Sequence, residues 1–388
     1  MPAAAEDAAR LPPPAQGALR LAVYNAALSR DGAGRLLQDI RDRDPQVLAA
    51  ARVILTVRPD ILVLCELDRD GEGAALAAFS ALLAEGFPGL EGLDYAYRVQ
   101  PPSNTGVPSG HDLDGDGTVR GPGDAHGYGL FPGHYALAVL SRLPIETQEL
   151  RTWARLRWSS MPGALRPVGP EGKALHDDAA WAAHRLSSKT HLAVPVRLPG
   201  GGRLTVLAAH PTPPVFDGPA DRNGRRNHDE VRLIAEILDG APWLVDYAGR
   251  RGGIAPDVPV LVAGDLNADP ADGDARRGAL ARLLAHPRLQ DPRPTSEGAR
   301  VAAASGGGAN LRHVGPAATD TADWRDMPGP GNLRVDYVLP PAAWTVTDSG
   351  VFWPAPGEPG AALVAVMRGG LHAASDHRLV WVDAIPPP

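Results

Sequence analysis

The sequence predicts an α/β fold built on buried strands, and three observations carry that prediction. Apolar runs of strand length recur along the chain, and segments of helical periodicity separate some of them. The residues best suited to chemistry fall at the ends of the apolar runs, from Asn25 to His377. That dispersal argues against two self-contained catalytic units in the 388 residues, so residues 18–388 are expected to form one domain behind a Pro/Ala-rich tail at 1–17.

Leu19 to Val23 is short and Val-containing, which favours a strand, with Asn25 at its C-terminal end. From Asp44 the pattern turns helical: Asp44 can cap, Pro45 suits the first turn, and Val47, Ala50, Ile54 and Val57 repeat at helical spacing until Arg58-Pro59. A strand from Ile61 to Cys65 delivers Glu66. Residues 101–133 are rich in Gly, Pro, Asp and Ser with almost no apolar period and read as a long loop. Ala136 to Leu140, Leu192 to Leu198 and Leu204 to Ala209 read as further strands, the last ending at His210. After a polar insert at 211–228, Asn227 and Glu230 have capping-box spacing ahead of a helix carrying Val231, Ile234, Ile237 and Leu238. Val258 to Ala263 leads into Asp265 and Asn267. Leu333, Val335, Tyr337 and Leu339 alternate with Arg334 and Asp336, a period-two strand with Asp336 on the face away from the apolar set. Leu379 to Val382 follows Asp376 and His377.

Hydrophobic residues at 44% and charged residues at 21% imply a packed core. A net charge of −7 excludes a broadly basic nucleic-acid-binding surface as the default. The lone Cys65 sits in an apolar run and reads as a core residue. No stretch reaches the roughly 18 apolar residues of a spanning helix, and the first residues lack a signal peptide's basic and apolar segments.

Asn25, Glu66, His210, Asp265, Asn267, Asp336, Asp376 and His377 all adjoin strand-like runs. Ligands of sheet-based α/β folds bind outside strand ends, where side chains are firmly held yet accessible. Several carboxylates at one edge would repel one another without a cation. The oxygen donors Glu66, Asp265, Asn25 and Asn267 suit Mg2+ or Mn2+ better than zinc.

The pieces Tyr24-Asn25, Leu64-Cys65-Glu66, Val139 to Ile145 with Ser141-Arg142, Gly264-Asp265-Leu266-Asn267, Arg334-Val335-Asp336 and Ser375-Asp376-His377 occur in an order that resembles the endonuclease/exonuclease/phosphatase superfamily. The resemblance spans nearly the whole chain. It implies a four-layer sandwich, two mixed β-sheets face to face with helices outside, and metal-dependent phosphoester hydrolysis without a covalent intermediate. It further implies Glu66 on the metal with Asn25 and Asp376 close by, Asp265 and Asn267 at water and phosphate, and His377 as the catalytic histidine oriented by Asp336. His210 falls where deoxyribonuclease-like members place a second histidine, but the glutamate that partners it there has no counterpart. The long insert and the Asp112 loop are similar to a bacterial branch that is often exported, which implies a secreted or periplasmic protein.

The loops leave alternatives open. Asp112, Asp114 and Asp116 begin like a calcium loop, yet position twelve is Gly123, so the stretch reads either as a structural Ca2+ site or as a polar turn. Arg222, Arg225, Arg226 and Asn227 read either as contacts to a substrate phosphate or as a solvated loop leading to a helix cap. The expected partner is a phosphoester, with a small molecule or lipid headgroup favoured over DNA or RNA; nuclease activity is the alternative. A non-catalytic calcium-binding surface protein of the same fold is a third reading, and nothing implies a protein partner.

Overall fold

A computed structural model of the chain describes residues 10–367 and 370–387. The chain begins with β1 (Leu19–Leu28), α1 (Arg35–Arg41), α2 (Pro45–Val57), β2 (Ile61–Leu67), α3 (Ala74–Glu85), β3 (Tyr97–Val99), β4 (Ala138–Ser141) and β5 (Arg151–Thr152). It continues with α4 (Asp178–Ala183), β6 (His191–Arg197), β7 (Arg203–Ala209), α5 (Arg222–Leu238), β8 (Val260–Asp265), α6 (Arg277–Leu284) and α7 (Glu297–Ser305). It closes with β9 (Ala322–Asp323), β10 (Asn332–Leu333), β11 (Asp336–Leu339), β12 (Thr345–Val351) and β13 (Val380–Ile385).

Two mixed sheets form the body, in the orders β12-β13-β1-β2-β4-β3 and β11-β8-β7-β6-β5. Pairing is parallel between β1 and β2 and between β7 and β8, and antiparallel elsewhere in both sheets. Side-chain alternation then fixes what lies on each face. Val194, Val196, Leu204, Val206, Leu261 and Val338 join β1, β2, α2 and α3 in one buried cluster. Their strand neighbours Ala193, Leu207, Val260, Val262, Tyr337 and Leu339 join α5 and α6 in another. The result is the expected four layers, helices outside two facing sheets.

Local chemistry sets the boundaries of α2 as read from the sequence. The Asp44 carboxylate accepts from Gln46 N and Val47 N, Pro45 occupies the first turn, and Arg58 ends the helix in the left-handed region.

Three expectations need correction. β1 does not stop at Val23 but runs to Leu28, and its register with β2 shifts between Asn25 and Leu28. Asn25 therefore lies beside a bulge, a device that bends a strand and re-aims side chains. The period-two run at 333–339 is two strands: Leu333 pairs with Ala322 in a separate ribbon, while β11 begins at Asp336. The expected cap at Asn227 is overturned because α5 starts at Arg222. Polar residues at this end of the helix, Arg226, Asn227, Asp229 and Glu230, are buried and hydrogen-bonded inward, so apolar periodicity could not reveal that half of the helix. Leu11 and Pro12, within the expected tail, are tied to the body. Leu11 N donates to Thr56 O and Arg20 Nη2 to Pro12 O, while residues 1–9 of the expected tail lie outside the described residues.

The first sheet is pinned at its centre by a buried ion pair. Arg20 and Asp383 are register partners on β1 and β13, each 2% exposed, joined by bonds of 2.8 and 2.7 Å. Arg20 also donates to Val57 O, and its guanidinium lies 4.6 Å from the Trp381 ring centroid. Removing one member strands a buried charge, so Arg20→Met should cost about 3–5 kcal/mol in urea unfolding. The double variant Arg20→Met/Asp383→Leu should regain most of that loss; no recovery would show that the pair stabilises through packing alone.

Candidate active site

β8 and β11 build the centre of the site. Their antiparallel register sets Asp265 directly opposite Asp336 at one end of the second sheet, and facing carboxylates destabilise a sheet unless a cation joins them. His377 supplies that charge. Its Nδ1 is 2.9 Å from Asp336 Oδ2 and its Nε2 is 3.7 Å from Asp265 Oδ2. Burial alone would drive the proton off this ring, but the charges of Asp336 and Asp265 outweigh burial and hold the imidazole well above its ordinary value. Burial pushes Asp265 up to about 7, with His377 pulling against it and Asp336 adding to the push.

Asp336 is itself fixed by Thr321, whose hydroxyl donates to Oδ2 at 2.8 Å and accepts from the amides of Val335 and Asp336. His377 is held from the other side by its own amide, which donates to Ser375 Oγ, and Ser375 Oγ donates to Asn25 O at 2.8 Å. This last bond ties the segment before β13 to the bulge of β1. Asn25 Nδ2 in turn donates to Asp265 Oδ2 at 3.0 Å, bridging the two sheets.

Glu66, Asp376, Asn267, His210 and Lys189 join Asp265 and His377 in lining a cavity of about 1660 Å³. Glu66 and Asn267 have φ angles of 57° and 50°. Non-glycine residues in the left-handed region are strained, and such strain clusters at functional sites. Burial and the neighbouring Asp376 raise the Glu66 carboxyl above its usual range. Asp376 is held low despite its burial by His377, His372 and the Trp324 indole N–H, which donates to it at 2.9 Å.

His210 follows β7, its Nε2 3.4 Å from Asp265 Oδ2 and its Nδ1 without a partner among the described residues. Burial first, then the charges of Lys189 and His377, keep this ring neutral. Among the described residues no carboxylate meets Nδ1, so Asp265 at Nε2 is the acid beside this ring.

The proposed Arg222 to Asn227 group is divided. Arg222 and Arg226 line the cavity. Arg225 does not; it donates to Ala220 O and Arg166 O. Asn227 is buried and clasps Thr212 O and Leu266 O, each at 2.9 Å. Asp112, Asp114 and Asp116 do bring one oxygen each within 4.8 Å of one another. Asp112 spends its oxygens on the amides of Gly115 and Gly117, and Asp124 spends its own on Leu113 N and Arg120 N.

Sequence reading missed Lys189, Trp324 and Thr321. Lys189 precedes β6, and its Nζ reaches Pro211 O at 3.4 Å; burial lowers its affinity for the proton, opposed by Glu230, Glu66 and Asp265. Polar residues in turns give no sign of which cavity they will face.

Two facing sheets thus present a buried His–Asp pair beside clustered carboxylates. The endonuclease/exonuclease/phosphatase family model matches residues 23–377, and the chain belongs to that family, whose members are metal-dependent hydrolases of phosphoesters. A search of curated proteins found no match. Among solved structures, the chain is similar to an endonuclease/exonuclease/phosphatase from Beutenbergia cavernae DSM 12333, 21% identical with a TM-score of 0.51 over 95% of this chain and 72% of that one. It is similar as well to sphingomyelinase C from Streptomyces griseocarneus, 18% identical with a TM-score of 0.46 over 94% and 99% of the two chains. The human nocturnin catalytic domain gives 13% identity and a TM-score of 0.47 over 95% and 93%.

The charged His377 has a checkable consequence. A raised histidine contributes stability that is full below its unfolded value, about 6.5, and is lost as pH rises through the folded value. In chelator-treated protein, Asp336→Asn should bring the His377 titration down in imidazole NMR and move that stability loss to lower pH. An unmoved titration would show that Asp336 does not hold the proton.

Proposed function

We propose that this chain hydrolyses a phosphoester by in-line attack of water, with no covalent enzyme intermediate. The observation that carries the reading is the charged His377, clamped between Asp336 and Asp265 at the wall of a cavity lined by Glu66 and Asp376. Glu66, Asn25 and Asp376 would hold one divalent cation. The donors fit: all are oxygens, and the mutual repulsion of Glu66 and Asp376 is what a hard cation relieves. When bound, Mg2+ or Mn2+ would offset negative charge on the phosphoryl group.

The chain's own residues do the rest. Asp265, its Oδ2 held by Asn25 and its Oδ1 by the amide of Asn267, orients the attacking water and accepts its proton. His377 donates from Nε2 to a phosphoryl oxygen while Asp336 fixes the ring at Nδ1. Asn267 stands beside Asp265 to contact a non-bridging oxygen, and its strained backbone supports that placement. His210, neutral, offers Nε2 to the same centre, and Lys189 adds a buried positive charge.

A small-molecule or lipid-headgroup ester is favoured over nucleic acid, because the site opens into one large cavity of a chain with net charge −7. Asp265→Asn and His377→Ala should each lower kcat by about 100-fold or more with an unchanged circular-dichroism spectrum. Near-full activity in either variant would refute these roles. Comparing plasmid cleavage with phosphate release from small esters, under Mg2+, Mn2+ and Ca2+, separates the nuclease from the small-ester enzyme. Calcium at the Asp112 loop is tested by the same preparations: a structural ion there makes the melting temperature fall with a calcium chelator while turnover with Mg2+ persists.

A further inference from the structure

Trp324 follows β9 directly, is partly buried, and lines the cavity together with Asp376 and His377. The segment that carries it is stitched to the segment that carries those two residues. Asp323 N donates to Asp376 O at 2.8 Å, Arg378 N donates to Thr321 O at 2.7 Å, and Arg378 Nη2 reaches Asp323 Oδ2 at 2.9 Å. Ala322 and His377 form a bridge between the same segments. Ala322, Leu333 and Val335 make a small apolar cluster against which Trp324 packs. The indole is therefore placed by backbone bonds and apolar contact on both sides of the β9 and β10 ribbon.

Two contacts follow from that placement. Nε1 donates to Asp376 Oδ2 at 2.9 Å, and the ring meets the His377 imidazole edge to face with 5.3 Å between centroids. Burying a tryptophan does not by itself demand a carboxylate, since the indoles of Trp153 and Trp344 have no partner among the described residues. The bond divides the oxygens of Asp376. Oδ2 is taken by the indole. Oδ1 has Ser375 Oγ at 3.5 Å, and the one proton of that hydroxyl is already given to Asn25 O at 2.8 Å. Oδ1 is thus the atom left to meet a cation. A group that grips a metal-binding side chain from behind sets its orientation, and removing it costs about 10- to 100-fold in metal affinity.

We propose that Trp324 is a positioning residue for the metal: its indole N–H holds Asp376 by Oδ2 and presents Oδ1 to the divalent cation shared with Glu66 and Asn25. The inference rests on the hydrolase reading, which assigns Asp376 to the cation, and adds to it a residue that acts through Asp376. Spacing gives no sign of the pair, because Trp324 and Asp376 lie 52 residues apart and only the bridge between their segments brings them together.

Two measurements test it. The first is Mn2+ binding, read from the electron paramagnetic resonance signal of the free ion. Trp324→Phe keeps an aromatic ring against His377 and removes the N–H. It should weaken Mn2+ binding by about tenfold, with turnover returning toward the wild-type rate at saturating Mn2+ and the melting temperature in chelator unchanged. In an Asp376→Ala background the same change should have little further effect, because the two residues act through one bond. Unchanged Mn2+ affinity in Trp324→Phe, or an equal loss with and without Asp376, overturns the role; a lowered melting temperature with wild-type affinity would mean that the indole serves packing alone.

The second measurement leaves the indole in place. In heteronuclear NMR of chelator-treated wild-type protein, one of the eight tryptophan indole N–H signals should move when Mg2+ is added, and the same signal should be displaced in metal-free Asp376→Ala. If no indole signal responds to both changes the proposal is overturned, even where Trp324→Phe fails to fold. Wild-type protein that binds neither Mn2+ nor Mg2+ overturns the cation site and this role with it. Mn2+ binding that depends on Trp324, in a protein that cleaves no ester, refutes the hydrolase reading and leaves the positioning role standing.

Discussion

The site depends on two carboxylates that β-sheet register forces to face each other. Asp265 and Asp336 occupy paired positions on β8 and β11, buried to 1% exposure each, in the place where a sheet least tolerates like charge. His377, arriving from the other sheet's side of the molecule, makes the arrangement tenable by keeping its proton. The dependence is mutual: without the acids the buried imidazole would be neutral, and without the imidazolium the two strands would carry an unbalanced pair.

That triad joins the two sheets as well as serving them. Asn25 on β1 bonds Asp265 on β8, and Ser375 ahead of β13 bonds the carbonyl of Asn25. The bulge in β1 at this point turns a strand interior into an inward-reaching polar contact. The proposed hydrolytic centre, spread over residues 25 to 377, is thereby held by hydrogen bonds of about 3 Å between elements that share no local sequence.

The polar half of α5 plays the same part for the cavity's other end. Arg226, Asn227, Asp229 and Glu230 are buried and directed at four separate segments, through Leu186 O and Ser188 N, Thr212, Leu266 O and the Trp158 indole. A helix that buries polar side chains in this way acts as a clamp on loops, and it leaves Arg222 at its first turn free to face the cavity.

The sequence alone determined that the fold is α/β and where α2 begins and ends, because apolar periodicity and capping are local properties; the layering of the two sheets was implied by the ordered family resemblance, and the acid and histidine set was a list of candidates at strand ends. Asp336 could be placed opposite Tyr337 and Leu339 from alternation alone. Tertiary structure decided everything that required a partner distant in the chain. It showed that Asn25 sits at a bulge, that Leu333 and Asp336 belong to different sheets, and that Arg225 and Asn227 are spent on carbonyls. It also brought Lys189 and Trp324 to the cavity. The reason is physical: burial of an apolar side chain needs only the right period, whereas a polar side chain's role is fixed by the donor or acceptor it meets, and sequence spacing does not say which one that is.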